Sequence, residues 1–327
     1  MLYIHGVGHF HPENEICNKF LENLDIGTSN DWIIDRVGIE NRRTVLDLEY
    51  IMQTKNDDTR AAAEASLYSN AVTGKHAAEM AISRAGISKD QIGMVIAGGC
   101  TPENSTPAEA CAIAAELELT VPCIDLNSAC SSFGAHIHFL SMLNDARVPE
   151  FILIVSPENT TRTVDYTDRR AAVLWGDGTS AAVVSTKVQS RAVVKSTSII
   201  SDPAGWNKVV IPRTGHFDQD GPAVQAFAVK KTSITVKSIR ERLNGKADSM
   251  LFIGHQANLR MLETVCRRCD ISSNQHYYNV NQFGNTAAAG APTVMSQNWE
   301  NFESGDVLAM VMVGAGLTWA GLSIEFN

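Results

Sequence analysis

The chain has 327 residues, 44% of them hydrophobic and 19% charged, which is typical of a globular protein with a large core and room for two domains. Its net charge of −9 argues against nucleic acid as a partner, and no apolar stretch approaches the roughly 20 residues of a membrane span. Seven scattered cysteines, an odd number, favour free thiols in a cytoplasmic protein over a disulfide framework, and the first residues predict a strand without a signal-peptide pattern.

The first third of the chain alternates predicted helices and strands. Residues 74–86 carry alanines at helical spacing, and the apolar run 94–99 predicts a strand. A polar loop, 100–110, separates that strand from a second apolar run at 121–126. Strands that alternate with helices are typical of mainly parallel sheets covered on both faces.

Cys130 follows the second run, where small residues lead into a helical pattern. A cysteine at a strand-to-helix turn lies at the positive end of the helix dipole, which favours the thiolate over the thiol. The position therefore predicts a nucleophile. The alternative is a buried packing residue, which is the commoner role of a single cysteine after a strand.

The middle of the chain marks a boundary between two halves. Residues 173–185 predict a hairpin that closes the first half, so we place the halves at 1–185 and 186–327. Helical stretches separate the strand blocks, and 191–210 and 220–244 introduce the second half, the latter ending in a helix.

The two halves share an order of motifs, which indicates a duplicated α/β unit. The matched segments are 94–99 with 250–255, 125–130 with 279–284, and 175–184 with 313–322.

The second half supplies two neutral hydrogen-bond donors and a glycine-rich turn. His255 and Asn285 each follow an apolar run that predicts a strand, and Gly-Ala-Gly at 314–316 offers backbone amides. A nucleophile, two neutral donors and such a turn predict acyl transfer through a covalent thioester. Taken singly, His255 has a structural alternative, and Asn285 could cap the alanine-rich helix that follows it.

Cys266 and Cys269 form a CxxC inside a predicted helix at 260–270. A second ligand pair is missing from the neighbouring sequence, so we expect two structural cysteines and predict no metal site.

Six blocks, in order, resemble the ketoacyl synthase III family of condensing enzymes. They lie at 29–39, around Cys130, and at 166–169, 175–178, 255–258 and 284–286, and Leu-Thr-Trp at 317–319 adds to them. The resemblance implies an α/β thiolase-like fold, with two duplicated halves whose mixed sheets form an αβαβα sandwich around a pseudo-two-fold axis.

The resemblance also implies a mechanism. Cys130, His255 and Asn285 would be catalytic, and the backbone amides of Cys130 and Ala315 would form the oxyanion hole. The reaction would be a decarboxylating condensation of an acyl thioester with a malonyl or ketoacyl thioester on acyl carrier protein, with no cofactor apart from coenzyme A thioester as substrate.

Three residues correspond to those that grip the adenine of coenzyme A in the family: Trp32, Arg36 and Arg169. Carrier-protein docking is expected at Arg260, Arg267 and Arg268, for which an ordinary solvated face is the alternative. The family further implies a homodimer that pairs through residues 121–126.

Two segments depart from the fatty-acid type. The segment 44–71 is longer than expected, and four apolar side chains in it are candidates to pack against the acyl tunnel or to cover it: Leu46, Leu48, Ile51 and Met52. In the loop 100–110, small residues such as Thr106 replace an aromatic that limits primer length, and Glu103 is a candidate to reach the partner's site.

These departures suggest a specialised enzyme and leave its acyl chain, its donor thiol and its pathway open, with dialkylresorcinol, aryl-polyene and alkylquinolone synthesis among the alternatives. Two other functions stay open. One is a cysteine-dependent acyltransferase, or a head-to-head condensing enzyme, that acts without decarboxylation. The other, a non-catalytic synthase subunit, is disfavoured because Cys130, His255 and Asn285 are all present.

Overall fold

A computed structural model describes residues 1–143, 145–243 and 249–327. The strands are β1 (Leu2–Phe10), β2 (Asn14–Cys17), β3 (Asn41–Thr44), β4 (Ile92–Ala97), β5 (Cys123–Asp125), β6 (Phe151–Glu158), β7 (Gly178–Ser185), β8 (Ala192–Ser201), β9 (Val209–Val210), β10 (Asp218–Gln219), β11 (Leu251–Gly254), β12 (Val307–Gly314) and β13 (Thr318–Phe326). The α-helices are α1 (Asn18–Asn23), α2 (Asn30–Val37), α3 (Leu48–Thr54), α4 (Ala61–Glu64), α5 (Asn70–Ala85), α6 (Glu109–Glu116), α7 (Ser132–Ser141), α8 (Arg169–Ala172), α9 (Gly221–Glu241), α10 (Leu259–Arg268), α11 (Val280–Phe283) and α12 (Gly290–Gln297).

Nine strands form one sheet in the order β11-β12-β13-β8-β1-β7-β6-β4-β5. The pairs β4/β5, β4/β6 and β11/β12 are parallel, and the other neighbours in this sheet are antiparallel. The expected mixed sheet is confirmed, whereas the expectation of mainly parallel pairing is wrong. The reason is visible between β12 and β13, where a connection of three residues is too short for a parallel crossover.

The strand order on either side of the sheet centre is the same. The series β4-β6-β7-β1 on one side is matched by β11-β12-β13-β8 on the other, with β5 as an additional strand beside β4. The two series meet where Leu2–Ile4 of β1 pairs with 192–194 of β8. The predicted repeat therefore corresponds to a pseudo-two-fold arrangement of the sheet. The proposed boundary after residue 185 falls in the loop between β7 and β8 and stays a prediction.

The helices form layers around the sheet. Helix α7 from the first half contacts β8 and β13, and α12 from the second half contacts β1 and β7, so these two helices pack between the halves. Helix α5 covers β1 and β7 from outside, and α9 covers β12 and β13. Glycine at position 8 allows α5 to pack closely on β1, since a Cβ there would lie only 2.0 Å from the carbonyl oxygen of Ala77.

Two sequence-based expectations about the chain's middle are wrong. Residues 173–185 are not a hairpin, since only Gly178–Ser185 form a strand, and that strand pairs with β6 and β1. Residues 191–210 contain the strands β8 and β9 instead of a helix. The helix expected within 220–244 is α9, and residue 244 lies outside the described residues.

The residues before Asn285 were expected to form a strand, but they form the short helix α11 instead. In the first half β5 pairs with β4, whereas in the second half a single β-bridge joins His276 to Phe252 of β11. None of the described helices is long and apolar enough to cross a membrane.

Candidate active site

The turn that carries Cys130 is held by hydrogen bonds to its own side chains. Cys130 lies in a 3-10 turn, Ala129–Ser131, directly before α7, and only 6% of it is exposed. The N–H of Ala129 donates to Asn127 Oδ1 at 2.7 Å, and the N–H of Ser128 donates to Ser132 Oγ at 2.9 Å. These contacts confirm the predicted strand-to-helix turn and aim the thiol at a fixed point.

The surroundings of Cys130 favour the thiolate. Its sulfur lies 3.4 Å from the sulfur of Cys100, and a hydrogen bond from that thiol is the largest influence that lowers the pKa of Cys130. Hydrogen bonding and charge at His255 lower the pKa further, against the opposing effect of burial. A thiolate is the reactive form of cysteine, so Cys130 can act as a nucleophile at neutral pH.

His255 directly follows β11 and is 6% exposed. Its Nδ1 is buried and has no hydrogen-bond partner among the described residues. A histidine that acts as a base is usually oriented by a carboxylate at this atom. The described residues place none there, so the imidazole is better suited to donate a hydrogen bond to a substrate oxygen.

Asn285 is fixed through its backbone and its side chain. Its N–H donates to the carbonyl of Leu174 at 2.8 Å, and its carbonyl accepts from the N–H of Gly176 at 3.1 Å. The side-chain Oδ1 accepts from the N–H of Ala287 at 3.0 Å. Because the oxygen is engaged, the NH2 group of this 7%-exposed side chain is the part left to meet a substrate.

The Gly-Ala-Gly turn follows β12 and touches the nucleophile turn. A Cβ at Gly314 would lie 3.0 Å from the backbone nitrogen of Cys130, so the two backbones are in close contact. Ala315 is not among the residues with positive φ, and the following Gly316 is. Alanine is therefore tolerated at 315 and keeps its N–H as an oxyanion donor.

These groups border one cavity of about 620 Å³. Its wall includes Cys130, His255, Asn285 and Ala315, and its other residues include Trp32, Arg36 and members of α9. The structure thus brings together the predicted nucleophile, both donors and the glycine-rich turn, which come from the two halves of the chain.

The three residues predicted to grip adenine also lie together. The guanidinium carbon of Arg169 is 4.7 Å from the centre of the Trp32 ring, and that of Arg36 is 5.9 Å away. Arg169 also donates a hydrogen bond to the carbonyl of Gly27. The ring of Trp32 is half-buried, which leaves one aromatic surface beside two cations.

The loop 100–110 borders a second cavity, of about 530 Å³. Glu103 Oε2 accepts from the N–H of Asn70 at 2.7 Å, and Oε1 pairs with Arg162 at 3.3 Å, so both oxygens have partners in the same chain. Thr106 is exposed on this loop.

The longer segment 44–71 forms α3 and α4 beside the nucleophile. Leu46 and Ile51 are buried in the same apolar cluster as Cys130, and Leu48 packs against that cluster. Met52 is 43% exposed, and its part in covering the acyl site stays a prediction. It lies on the outer face of α3, one residue after the buried Ile51.

The three predicted docking arginines lie on or beside α10 with different surroundings. Arg260 is tied down, because it pairs with Glu263 at 3.1 Å and donates to the carbonyl of Ile34 at 2.9 Å. Arg267 and Arg268 are exposed in the last turn. The exposed cationic surface at this end of α10 is therefore formed by Arg267 and Arg268.

Other expectations concern structural residues. Cys266 and Cys269 are buried free thiols, as predicted, and burial raises the pKa of Cys266 to about 12. Among the described residues, no group of three or more histidine, cysteine or acidic side chains could hold a metal. Asp177 is fully buried and accepts from the N–H groups of Thr161 at 2.8 Å and Val45 at 2.7 Å, which fits a structural role.

Two residues of the site were missed from the sequence, Cys100 and Glu158. Glu158 is buried at the end of β6, where Oε1 accepts from the N–H groups of Cys100 at 2.8 Å and Ala288 at 3.0 Å. Burial, followed by the nearby Cys130, raises the pKa of this carboxyl to about 8. Both residues lie at the carboxyl ends of neighbouring parallel strands, β4 and β6, and that common edge was the available signal.

Two family profiles match the chain. The profile for 3-oxoacyl-[acyl-carrier-protein (ACP)] synthase III matches residues 124–203, and the profile for the C-terminal part of the same enzyme matches residues 241–326.

Similar proteins cover nearly the whole chain. A beta-ketoacyl-[acyl-carrier-protein] synthase III from Aliarcobacter butzleri is 30% identical over 341 residues, covering 98% of this chain and 96% of the relative. The crystal structure of 3-oxoacyl-[acyl-carrier-protein] synthase III from Aquifex aeolicus superposes with a TM-score of 0.88 at 25% identity and covers 100% of both chains. A priming beta-ketosynthase from a polyketide biosynthetic pathway has a TM-score of 0.81 at 26% identity, covering 100% of this chain and 96% of its own.

Proposed function

The chain belongs to the 3-oxoacyl-[acyl-carrier-protein] synthase III family, and from this premise we propose that Cys130 is the residue it acylates. As a member, it is an acyl-transferring enzyme that condenses thioesters with loss of carbon dioxide. The observation that carries the residue assignment is the single cavity that Cys130 shares with His255, Asn285 and Ala315.

In the acylation step, the Cys130 thiolate attacks the carbonyl carbon of the acyl donor. The carbonyl oxygen becomes an oxyanion that accepts hydrogen bonds from the N–H groups of Cys130 and Ala315. The bond to the donor sulfur then breaks, and the donor thiol leaves with a proton. Each such oxyanion donor is typically worth about 3–4 kcal/mol of barrier.

In the condensation step, a malonyl thioester on the carrier protein loses its carboxyl group as carbon dioxide. The enolate that forms carries its charge on the thioester oxygen, where His255 and the NH2 group of Asn285 donate. The enolate carbon attacks the acyl group on Cys130. Collapse of that adduct releases the Cys130 thiolate and the lengthened ketoacyl thioester.

The orientation of Asn285 favours decarboxylation over simple acyl transfer. Because Ala287 occupies its oxygen, the amide presents a donor to the cavity, which an enolate requires. Transfer to an oxygen or nitrogen acceptor needs no such donor once Cys130 is acylated. A non-decarboxylating acyltransferase would leave this donor without a role.

Substrate binding is proposed on the chemistry of two surfaces. The stack of Trp32 with Arg36 and Arg169 suits the adenine ring and phosphates of coenzyme A. The exposed Arg267 and Arg268 suit an acidic carrier protein, while Arg260 supports α10 against α2.

The acyl chain is proposed to lie near Cys100 and the segment 44–71. The segment 44–71 is longer than expected for a fatty-acid enzyme, and the loop 100–110 carries small residues in place of an aromatic. These two differences favour a specialised lipid or polyketide primer. Seven free cysteines fit a reducing compartment such as the cytoplasm.

The experiment is intact-protein mass spectrometry after mixing with a panel of acyl-coenzyme A and acyl-carrier thioesters. Wild type should gain the mass of one acyl group, which identifies the donor, and Cys130→Ala should gain none. Cys123→Ala is the matched control, because it removes another cysteine of the same region and should label normally. An adduct that persists in Cys130→Ala would contradict the assignment.

A further inference from the structure

The nucleophile has a second thiol beside it. Cys100 follows β4 and Cys130 follows β5, and these strands are parallel neighbours whose carboxyl ends deliver both side chains to one point. The two sulfur atoms lie 3.4 Å apart, and both cysteines are free.

Both thiols are anchored through their backbones. The N–H of Cys100 donates to Glu158 Oε1 at 2.8 Å, and the turn of Cys130 is held by Asn127 and Ser132. A disulfide has a sulfur–sulfur distance of about 2.05 Å. The sulfur atoms must approach by little more than one ångström, which side-chain rotation can supply with small backbone movement.

The pair can be reached by small molecules. Cys130 borders the cavity that holds His255, and Cys100 borders the second cavity, beside the loop 100–110. The two thiols therefore form part of the wall between two openings.

We propose that Cys100 is the resolving thiol of a reversible oxidation site at Cys130. The Cys130 thiolate attacks hydrogen peroxide, takes one hydroxyl group and becomes a sulfenic acid, while the oxygen–oxygen bond breaks and the other oxygen leaves as hydroxide. The Cys100 sulfur then attacks the sulfenic sulfur, and its proton leaves with the hydroxyl group as water. Two electrons pass from the two thiols to the peroxide, and a dithiol reductant returns them.

The chemistry of the site supports this order of events. Oxidation of a cysteine follows its thiolate character, and the neighbours of Cys130 favour the thiolate. Formation of the disulfide competes with further oxidation to sulfinic acid, which dithiols do not reverse. An acyl group on Cys130 blocks the first step, so the site responds when the enzyme is idle.

The first measurement locates the bond after treatment of the full chain with hydrogen peroxide. Trypsin is unsuitable, because residues 90–147 contain no internal lysine or arginine and hold four of the cysteines. Cleavage after glutamate together with cleavage before aspartate places Cys100 in 90–103 and Cys130 in 125–144. We expect these two peptides to be joined, with the loss of two hydrogen masses.

Matched variants test the role of Cys100. Cys100→Ser should still lose acyl-accepting capacity in peroxide, but with two added oxygen atoms on Cys130 and without recovery in dithiothreitol. Cys111→Ser is the control, because Cys111 contacts Cys123 and offers a second pair that could oxidise. Cys111→Ser should form the Cys100–Cys130 bond and regain its acyl-accepting capacity in dithiothreitol, as wild type does. The acylation rate of each protein is compared with the rate of the same protein before treatment.

The result that overturns the proposal is sulfinic acid at Cys130 of wild type without the cross-linked peptides, or equal recovery of Cys100→Ser. The loss of activity rests on the proposed role of Cys130, whereas the bond does not. If the bond forms and activity persists, the assignment of the nucleophile fails and the oxidation site stands. Prior acylation with the donor thioester should prevent the bond.

Discussion

Two alanines in the left-handed region of backbone conformation lie beside the reacting groups. Ala129, next to Cys130, and Ala287, two residues after Asn285, both have φ of 47°. Residues other than glycine avoid this region unless the surroundings impose it, and such strain is common at functional sites. An asparagine side chain accepts the N–H in each case, Asn127 for Ala129 and Asn285 for Ala287. The turns 129–131 and 287–289 therefore use one local arrangement, once for the nucleophile and once for a donor, and they correspond in a register four residues away from the predicted match of 125–130 with 279–284.

This arrangement gives a prediction for Asn285. Asn285→Ala should still accept an acyl group, because its side chain contacts the second substrate, but should decarboxylate malonyl thioester about a hundredfold or more slowly, as for a lost oxyanion donor. Intact mass measures the first step, and release of labelled carbon dioxide measures the second.

Asn285→Asp is the control for a structural effect, since it keeps the acceptor for Ala287 and replaces the NH2 donor with a carboxylate oxygen. It should show the same separation of the two steps. Normal decarboxylation in both variants would remove Asn285 from the mechanism.

Glu158 predicts how stability depends on pH. Burial raises its pKa to about 8 in the folded chain, whereas an unfolded glutamate titrates near about 4.3. Between these values the folded state holds a proton that the unfolded state lacks, so this group's contribution to stability is lost as pH rises through the window. Glu158→Gln cannot ionise and keeps an oxygen for the N–H groups of Cys100 and Ala288. The variant should therefore lose less stability than wild type over this range.

Urea unfolding at about pH 5 and about pH 8 measures the free energy of unfolding of both proteins. Between these two values, the free energy of unfolding should fall less for Glu158→Gln than for wild type. Glu150→Gln, at an exposed position, should follow wild type. Parallel pH profiles for Glu158→Gln and wild type would show that the carboxyl ionises normally.

At the scale of elements, the end of β12 positions the nucleophile turn. Gly314 is the last residue of this strand, and a Cβ there would lie 2.9 Å from the carbonyl oxygen of Ser128 and from the nitrogen of Ser131. Both contacts are with backbone, which cannot rotate away as a side chain can. A methyl group at this position must therefore displace the turn that carries Cys130.

Gly314→Ala should slow acylation by roughly a hundredfold, which is the typical cost of displacing a reacting group by about an ångström. Single-turnover acylation, followed by intact mass, measures the rate. Gly86→Ala is the control, since its φ of 67° makes alanine costly while no atom lies within 4 Å. It should lose stability and keep its rate; equal slowing in both variants would point to general destabilisation.

The elements differ in how far the sequence predicts them. Helix α10 is strongly amphipathic and was predicted correctly, as was the four-residue strand before His255. The apolar run before Asn285 is short, and periodicity alone cannot separate a short strand from one helical turn there. The proximity of Cys100 to Cys130 depends on the pairing of β4 with β5, which the scattered positions of the cysteines do not reveal.

At the scale of the whole molecule, the site exists only where the two halves meet. Cys130 comes from the first half, and His255 and Asn285 come from the second, so neither half alone contains the cavity wall. The internal repeat in the sequence predicted this symmetric plan. The stack of Arg169 on Trp32 and the two partners of Glu103 depend on side-chain positions, which repeats and motifs do not specify.

The same plan leaves one end of the sheet open. Strand β5 is the last in the order of strands, and it precedes the turn of Cys130. Ile124, at its centre, is 49% exposed, although an isoleucine in a strand is usually buried. An edge strand with an exposed apolar side chain is suited to pair with another strand, and a second copy of β5 would extend the sheet across a two-fold axis.

We therefore expect a homodimer that pairs through β5, and light scattering at micromolar concentration should give the mass of two chains, where one chain has 35.5 kDa. Ile124→Arg should shift the protein toward the mass of one chain, because two arginines would face each other across the axis. Ile234→Arg is the matched control, since this isoleucine of α9 is 54% exposed and lies away from β5. It should remain dimeric. A wild type with the mass of one chain would refute the dimer, and a dimeric Ile124→Arg would place the interface on another surface.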